Sequence, residues 1–590
     1  MSSMAERKTS FPQKTEEMSG AWRELPWRKL EQHVYRVQKR IYRASQRGKQ
    51  RQVEKLQKLL LKSEAARLLA VRRVTQDNQG KKTAGVDGVK SVPPKGRFLL
   101  VKQLHTKRWK RHQKPPPVRR VWIPKPGKAE KRPLGIPTML ERAKQALVKL
   151  ALEPAWEAVF EPNSYGFRPG RSCHDAIGAI FNGIRYKPKF VFDADIKGCF
   201  DHINQEALLK KLHTYPKLTH LIQGWLRAGV MEGVEFTPTE EGTPQGGVIS
   251  PLLANVALHG LEEVAKAGQK QSKEQPMLIR YADDFVILYS DNTELQAIAE
   301  RVAAWLENMG LRLSPSKTRI THTLDPYDGN VGFQFLGFHV QQYHVGKTHT
   351  GSNTHGRPLG YKTLIRPSKE AIKRHTQAIG HHLRQLRTAP QERVISELNP
   401  IIRGWCNYYR WVVCTQTFGS CDHTTHQQLV RWENARHPAK SKDWVRSKYH
   451  IRLDTRTHYG LYVKDEEGNP KPRYVRVHAA TQHQDFIKVK GEASPYDGNL
   501  LYWAKRLKQH PLVNNEKAKL LKMQQWQCPR CGLYFKEGDL LEVDHIIPTA
   551  LDGKDAISNK WVYHRHCHDE KTAEDLARIA KYKAAGINRN

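Results

Sequence analysis

The sequence predicts a multidomain α+β protein, and three observations lead to that prediction. At about 150 residues per domain, the chain of 590 residues has room for about four domains. Apolar residues recur at helical spacing in long segments, while shorter apolar runs that end in charged residues are typical of strands. Three of the eight cysteines lie among several histidines in the last 75 residues, which indicates a separate small module.

Positive charge is concentrated in the first part of the chain. The whole sequence has 99 Lys and Arg against 58 Asp and Glu, and residues 1–130 alone have 34 against 10. Such a surface gains affinity for polyanions by releasing counterions. There are two alternatives to polyanion binding: the charge only keeps the surface solvated, or it attracts anionic lipid. No acylation motif and no apolar amphipathic face supports lipid binding. We therefore expect a nucleic-acid partner.

Composition also excludes several protein classes. No apolar run approaches the ~18 residues of a membrane span, and the first 20 residues contain no signal-like apolar stretch. The 14 Trp, 21 Tyr and 16 Phe are enough for packed cores, which argues against wholesale disorder. Eight cysteines in this length do not form a disulfide framework. We expect a protein of a reducing, intracellular compartment that does not enter the membrane.

Local patterns predict the elements in chain order. Basic helices at 28–76, with Val34, Val37 and Ile41 on one face, form a basic helical extension over 1–85. Gly- and Pro-rich sequence marks the loop that follows. The remaining predicted elements are a strand at Val118–Pro124, a turn joining two strands at 125–137, a helix at 139–160, strands at 190–200 and 277–289, basic helices at 368–387 and 398–413, and an irregular basic stretch at 436–515.

Two of these strands bring acids to their ends. Asp193 and Asp195 finish the run that begins at Phe190, and Asp283 and Asp284 lie at the tip of a predicted β-hairpin. Side by side, such carboxylates would repel each other and take up protons unless cations lay among them. Two Mg²⁺ ions would meet that need, and a metal pair of this kind serves phosphoryl transfer in polymerases.

With these motifs, the chain resembles the reverse transcriptases encoded by group II introns. The resemblance is collinear and covers nearly the whole chain. The motifs that carry it are 120–127 (RVWIPKPG), 131–138 (KRPLGIPT), 163–172 (NSYGFRPGRS), 195–201 (DIKGCFD), 242–251 (GTPQGGVISP), 281–284 (YADD), 313–318 (LSPSKT) and 335–338 (FLGF). Because eight motifs occur in the order of the family, chance turns and core strands do not explain them.

The resemblance implies a right-hand polymerase fold with a catalytic metal site. Asp195, Asp283 and Asp284 would hold the two Mg²⁺ ions. Asp195 is chosen over Asp193 because the family's motif is Asp-x-Lys-x-x-Phe.

The same motifs imply a nucleotide site for dNTP substrates. Lys125 and Arg132 would grip the incoming triphosphate, and Phe200 would exclude the ribose 2′-OH. Gln245 precedes two glycines that allow close approach to template and nucleotide. Lys317 would lie near the leaving pyrophosphate.

The resemblance also divides the chain. Fingers and palm fall at 86–345, an α-helical thumb that resembles the maturase domain (domain X) at 346–435, and a DNA-binding region at 436–515. The thumb assignment rests on 398–410 (LNPIIRGWCNYYR), whose basic and aromatic residues suit RNA binding. From periodicity alone, those aromatics are more often core residues.

The remaining segment, 516–590, resembles an HNH endonuclease of the ββα-metal type. Cys528 and Cys531 form one knuckle and His564 and Cys567 the other, a spacing that fits a structural Zn²⁺ site. His566 stays open as an alternative to His564.

By the same resemblance, four residues between and beside the knuckles form the nuclease site. His545 would be the general base, Asp544 and His568 would hold Mg²⁺ or Mn²⁺, and Asn559 would orient His545 or its loop. A bare zinc ribbon that only contacts DNA is the alternative.

Together these features predict a multifunctional retroelement protein of the bacterial cytoplasm, in a nucleoid-associated ribonucleoprotein; organelles are the alternative. Its partners would be intron RNA, target DNA and the RNA template with its cDNA. It would aid splicing, nick DNA and prime reverse transcription at the nick. The rival hypotheses are a splicing cofactor without polymerase activity and a non-mobile reverse transcriptase recruited to host defence.

Overall fold

A computed structural model describes residues 21–109, 114–124, 130–268, 274–346, 348–465, 468–507, 515–533, 535 and 541–584. Lys125, one of the predicted nucleotide contacts, lies outside these ranges. Within them, no helix combines the length and the hydropathy that a membrane crossing requires.

Four basic helices open the described chain. They are α1 (Trp27–Gln46), α2 (Gln50–Lys62), α3 (Glu64–Arg72) and α4 (Pro94–Gln103). Val34, Val37 and Ile41 are buried along one face of α1, as their spacing predicts. Ser63 begins α3 by accepting a hydrogen bond from the backbone N–H of Ala66, which satisfies a donor at the helix start. The predicted basic helices are therefore confirmed.

The next part of the chain builds two sheets and their covering helices. Its elements are β1 (Val118–Pro124), β2 (Lys131–Ile136), α5 (Met139–Glu157), α6 (Cys173–Ile184), β3 (Phe190–Asp195), α7 (Cys199–His202), α8 (Gln205–Leu212), α9 (Pro216–Leu226), β4 (Val230–Glu232), β5 (Glu235–Thr237), α10 (Ser250–Leu258), α11 (Leu261–Lys266), β6 (Met277–Tyr281), β7 (Asp284–Tyr289), α12 (Asn292–Asn308) and β8 (Arg319–His322). The sheet orders are β2-β1-β4-β5 and β6-β7-β3-β8.

The second of these sheets, which we call the palm sheet, is buried on both faces. Phe192 and Phe285 pack in the core shared with the first helices, whereas Val191 and Val286 pack in a second core shared with later residues such as Phe338. Strands covered on both sides are apolar nearly throughout. This is why β3 and the β6–β7 hairpin are evident in the sequence.

The segment that the sequence predicts to be the thumb, and that we call the thumb, follows the palm sheet. Its elements are β9 (Phe333–Phe335), β10 (Phe338–His344), β11 (Tyr361–Pro367), α13 (Lys369–Gln385), α14 (Gln391–Tyr409) and α15 (Thr415–Arg436). The hydroxyls of Tyr408 and Tyr409 donate to the carbonyls of Leu336 and Gly337, at 3.0 and 3.1 Å. These aromatics therefore serve mainly to pack the thumb against the turn between β9 and β10.

The stretch at 436–515 is irregular over 475–499, where the chain forms only one short 3₁₀ turn, but the prediction was wrong for the regular elements on either side. It contains α16 (Lys442–Tyr449), β12 (His450–Leu453), β13 (Arg456–Lys464), β14 (Pro470–Tyr474) and α17 (Leu500–Leu507). β12, β13 and β14 form an antiparallel sheet. The usual alternation of apolar and polar residues is absent because both faces of β13 carry aromatic side chains.

Residues 475–499, which we call the strap, run from this sheet back across the palm. The backbone N–H of Val489 donates to Asp175 Oδ1 at 2.6 Å, and Tyr496 donates to Glu153 at 2.9 Å. Beyond the strap come α18 (Asn515–Met523), β15 (Leu541–His545), β16 (Lys560–His564) and α19 (Arg565–Ala584). The mixed α and β content predicted for the chain is confirmed.

Candidate active sites of the palm and of residues 515–584

The tip of the β6–β7 hairpin carries the predicted palm carboxylates. Tyr281 pairs with Asp284, so Ala282 and Asp283 form a two-residue turn. Ala282 has a φ of +60°, the left-handed conformation that tight hairpin turns require and that non-glycine residues seldom adopt. Asp284 in turn lies directly opposite Asp195 of β3. The fold thus brings Asp195, Asp283 and Asp284 together.

A glycine beneath the turn allows this arrangement. A Cβ atom on Gly166 would lie 2.3 Å from the backbone nitrogen of Ala282, closer than any side chain permits. The neighbouring Tyr165 N–H donates to the carbonyl of Arg280 at 2.9 Å, and the Arg280 N–H donates to the carbonyl of Asn163 at 3.0 Å. The start of the motif, residues 163–166, therefore runs along β6 and supports its tip.

Arg280 is a supporting residue that the sequence analysis missed. Its side chain is fully buried, and its guanidinium donates to Asn255 Oδ1 at 3.0 Å and to the carbonyl of Ala282 at 3.3 Å. Glu161 Oε2 lies 3.8 Å away. The sequence does contain one sign of this role, which is a single arginine in an otherwise apolar strand. A charged side chain buried in such a strand needs partners nearby.

The surroundings of Asp283 and Asp284 disfavour the negative charges of these two carboxylates. Burial, followed by the charges of Asp283 and Asp195, raises the pKa of Asp284 to about 7. Burial and Asp195 also raise the pKa of Asp283. Lys317 Nζ lies 2.5 Å from Asp195 Oδ2. Carboxylates crowded in this way are suitable ligands for divalent cations, which would relieve the repulsion.

Asp193 occupies a different position. It lies opposite Val286 of β7 and Arg319 of β8, away from the hairpin tip. Its carboxylate is 3.5 Å from Arg319 Nη2, and burial raises its pKa to about 6. Asp195 is thus the acid of β3 that faces Asp284.

The predicted nucleotide-binding residues differ in how they relate to the carboxylates. Arg132 acts on them electrostatically, whereas Phe200 and Gln245 line a cleft. Arg132 lies in β2, and its charge acts to lower the pKa of Asp283 against the effect of burial. Phe200 lies in α7 with its ring 6.2 Å from that of Phe167. Gln245 Nε2 donates to Asp201 Oδ2 at 3.4 Å. Phe200, Asp201 and Gln245 line one cleft of about 280 Å³.

The residues at 515–584 bring the predicted zinc ligands together. One ligand atom from each of Cys528, Cys531, His564 and Cys567 lies within 4.8 Å of the others. Burial acts to raise the pKa of Cys528, but backbone N–H groups, chiefly that of Cys531, lower it to about 7. Such a set of thiols and one imidazole fits a tetrahedral Zn²⁺ site. The side chain of His566, the open alternative, lies outside the described part of the chain.

Beside this cluster, the predicted nuclease residues separate into two groups. His568 Nε2 is 3.7 Å from Asp544 Oδ2, so these two can share a metal ion. Asn559 accepts from the N–H of Ile547 at 3.0 Å and donates to its carbonyl at 2.9 Å. It thereby fixes the loop after His545.

His545 itself has a carboxylate partner that is not among the predicted site residues. Its Nε2 lies 3.1 Å from Asp555 Oδ1. Asp555 is ten residues away in an exposed loop, where no motif signals it.

Models of four protein families match the chain. They are the reverse transcriptase (RNA-dependent DNA polymerase) at 123–340, the N-terminal domain of reverse transcriptase at 22–104, the group II intron maturase-specific domain at 372–450 and the HNH endonuclease at 528–574. The palm carboxylates lie within the first match and the Cys/His cluster within the last.

Curated relatives agree with these matches. The group II intron-encoded protein LtrA of Lactococcus lactis subsp. cremoris is 32% identical over 373 residues, which cover 50% of this chain and 61% of that protein. The alignment therefore spans less than two thirds of LtrA. Protein YkfC of Escherichia coli is 32% identical over 305 residues, which cover 45% of this chain and 78% of that protein. The chain belongs to the group II intron-encoded family that combines reverse transcriptase, maturase and HNH endonuclease domains.

Proposed function

We propose that the protein is an RNA-directed DNA polymerase that uses two Mg²⁺ ions held by Asp195, Asp283 and Asp284. The observation that carries this proposal is the strand register that sets Asp195 opposite Asp284 beside the turn residue Asp283. When bound, the ions would supply Lewis-acid stabilisation to both the attacking and the leaving oxygens of phosphoryl transfer. Crowded, half-buried carboxylates support this assignment because cations relieve their repulsion.

The other palm residues would bind and orient the nucleotide. Lys125 and Arg132 are cations that suit the triphosphate of a dNTP, and Lys317, beside Asp195, suits the departing pyrophosphate. The ring of Phe200 would stand where a ribose 2′-OH would otherwise fit. Gln245 shares a cleft with Phe200, which supports a role next to the paired template base and nucleotide.

The residues at 515–584 would form a DNA endonuclease built around a structural Zn²⁺. Cys528, Cys531, His564 and Cys567 would hold that zinc in a closed site. Asp544 and His568 would hold a catalytic Mg²⁺ or Mn²⁺.

The nuclease chemistry would then fall to residues beside that metal. His545 would take the proton from the attacking water. Asn559 would hold the loop that carries His545, a role its paired hydrogen bonds to Ile547 support.

In the cell these activities would act in succession. The maturase domain would bind the intron RNA and aid its folding for splicing. The excised RNA would remain bound as a ribonucleoprotein in the bacterial cytoplasm. Insertion of that RNA into one DNA strand, followed by a nick in the other, would leave a 3′-OH from which the palm primes cDNA synthesis.

Extension of a DNA primer on an RNA template tests the polymerase proposal. Wild-type protein should incorporate dNTPs only when Mg²⁺ is present, and Asp195→Asn should abolish incorporation. Asp193→Asn is the matched control because it alters an acid on the same strand that lies away from the tip. Retained activity in Asp195→Asn, or equal loss in the control, would contradict the assignment.

A further inference from the structure

Phe167 combines two features that a loop residue seldom shows together. Its φ is +60°, a left-handed backbone conformation that is an outlier for a bulky side chain. Its ring is 48% exposed, although an apolar ring gains free energy from burial. Backbone strain of this kind persists only where the surrounding structure over-determines it, and such residues cluster at functional sites.

The residue after Phe167 is firmly anchored. Arg168 donates to both carboxylate oxygens of Glu157, at 2.9 and 3.0 Å, and both side chains are only 1% exposed. The same guanidinium donates to the carbonyls of Glu161 at 2.6 Å and Ser164 at 2.9 Å. Because a buried charge is costly without its partners, the backbone at Arg168 cannot move to relax Phe167.

The residue before Phe167 is constrained as well. The carbonyl of Gly166 accepts a hydrogen bond from Asn255 Nδ2 at 2.8 Å. The same glycine packs so closely under the turn at Ala282 that it has no room for a Cβ atom. The strained φ of Phe167 is therefore maintained between two residues that the fold holds in place.

The ring of Phe167 contacts the ring of Phe200. Their centroids are 6.2 Å apart and their planes meet at 78°, the edge-to-face arrangement that aromatic pairs prefer. Among the described residues, no other aromatic ring packs against Phe200, and the cleft that Phe200 shares with Gln245 is lined by Phe200 but not by Phe167. Phe167 can therefore act on the nucleotide site through Phe200.

We propose that Phe167 is a positioning residue for sugar selection, whose edge-to-face contact holds the ring of Phe200 in the orientation that excludes a ribose 2′-OH. The inference rests on the proposed function, in which Phe200 excludes that hydroxyl. A ring excludes an extra oxygen only while its rotamer is fixed, because rotation about its side-chain torsions makes room. The strained backbone at Phe167 is thereby explained as the conformation that brings its ring against Phe200.

Incorporation of single nucleotides by the full-length protein tests the proposal. On a primed RNA template, kcat/KM is measured for a dNTP and for the rNTP of the same base, and the selectivity is the ratio of the two values. F167A should lower this selectivity about two- to tenfold, the contribution of one edge-to-face pair, because kcat/KM for the rNTP rises. A merely structural defect would lower both values and leave their ratio unchanged, so partial unfolding cannot imitate the expected result.

Two further variants separate the ring from the backbone. F167Y keeps the ring and should keep the selectivity within about twofold of wild type. F167G relieves the strained φ but removes the ring, so it should lose selectivity as F167A does. Phe181→Ala, which removes a ring that is 38% exposed on α6, is the matched control and should keep the selectivity. Unchanged selectivity in F167A, or normal selectivity in F167G, would overturn the proposal.

A double-mutant cycle with Phe200 tests whether Phe167 acts through that ring. F200A should lower the selectivity more than F167A, and F167A/F200A should lower it no further than F200A alone, because two residues that act through one contact are not additive. Additive losses would overturn the positioning role. If F200A lowers the selectivity and F167A does not, only this inference fails. If F200A itself has no effect, the role proposed above for Phe200 is contradicted and this inference fails with it.

Discussion

Asp195 and Asp284 face each other across β3 and β7 as register partners, although they belong to distant stretches of the chain. Register is fixed wherever a sheet is buried, because a slip of one residue would turn every side chain to the other face. Both faces of the palm sheet are buried. The position of the two carboxylates is therefore set by packing beneath them rather than by the acids themselves.

Gly166→Ala should slow primer extension by about a hundredfold without replacing a carboxylate. The new methyl group would lie 2.3 Å from the Ala282 nitrogen, so the turn that carries Asp283 must shift. A misplacement of about 1 Å can cost about a hundredfold in rate, which steady-state incorporation would reveal. Gly419→Ala is the matched control because a Cβ there meets nothing within 4 Å. Normal extension by Gly166→Ala would show that the turn tolerates displacement.

Asp283→Ala should separate polymerisation from splicing. Loss of one carboxylate removes a ligand of the proposed metal pair, so dNTP incorporation on a primed RNA should disappear. Splicing depends on RNA binding and should persist at near wild-type rates when intron RNA and protein are incubated together. Equal loss of both activities would contradict the proposed division of labour between palm and maturase domain.

The sequence predicted most strands of the palm sheet but few of the residues that hold the hairpin tip in place. β3, β6 and β7 are apolar nearly throughout and have acids at one end, so these strands and their acids were evident in the sequence. The role of Gly166 was not, because a glycine in a loop does not reveal which backbone passes beside it. Arg280 and its partner Asn255 lie on different elements, and only the folded chain brings them together.

The β12–β14 sheet was missed for a different reason. Tyr459 is buried while Tyr462 is exposed, so both faces of β13 carry rings and the apolar–polar alternation of a half-buried strand is lost. The strands of the palm sheet also lack the apolar–polar alternation, but they could still be predicted because the acids mark the ends of β3 and of the β6–β7 hairpin. Motifs thus marked the ends of strands better than periodicity marked the strands themselves.

Zinc should be required for the residues at 515–584 to stay folded. Their core of buried residues is small, and small domains of this kind usually need a metal. We expect about one Zn²⁺ per chain by elemental analysis, lost in His564→Ala together with protease resistance of this part. His566→Ala is the control and should keep both. Loss of zinc in His566→Ala alone would make His566 the ligand.

His545→Ala should abolish nicking of the second DNA strand while primer extension persists. The imidazole is the proposed acceptor of the water proton, and general-base catalysis of this kind contributes about 10²- to 10⁴-fold. A labelled duplex carrying the target site measures the nick. His483→Ala, which alters a histidine of the strap, is the control. Surviving nicking in His545→Ala would show that another group activates the water.

Asp175→Ala should release the strap from the palm. The buried carboxylate of Asp175 accepts from Arg506 Nη2 at 2.6 Å and from the N–H groups of Ser172 and Val489 at 2.9 and 2.6 Å. Its removal leaves a guanidinium without its partner, and breaking a buried ion pair in this way costs about 3–5 kcal/mol.

Because a chain of several domains does not unfold in one step, hydrogen exchange at the amide of Val489 is the suitable measurement. Exchange there should accelerate by at least about a hundredfold, as about 3 kcal/mol implies. Glu397→Ala is the control, since it breaks an exposed pair with Arg393 that contributes about 0.5 kcal/mol or less. If Val489 stays protected in Asp175→Ala, the strap is held by its other contacts, such as that of Tyr496 with Glu153.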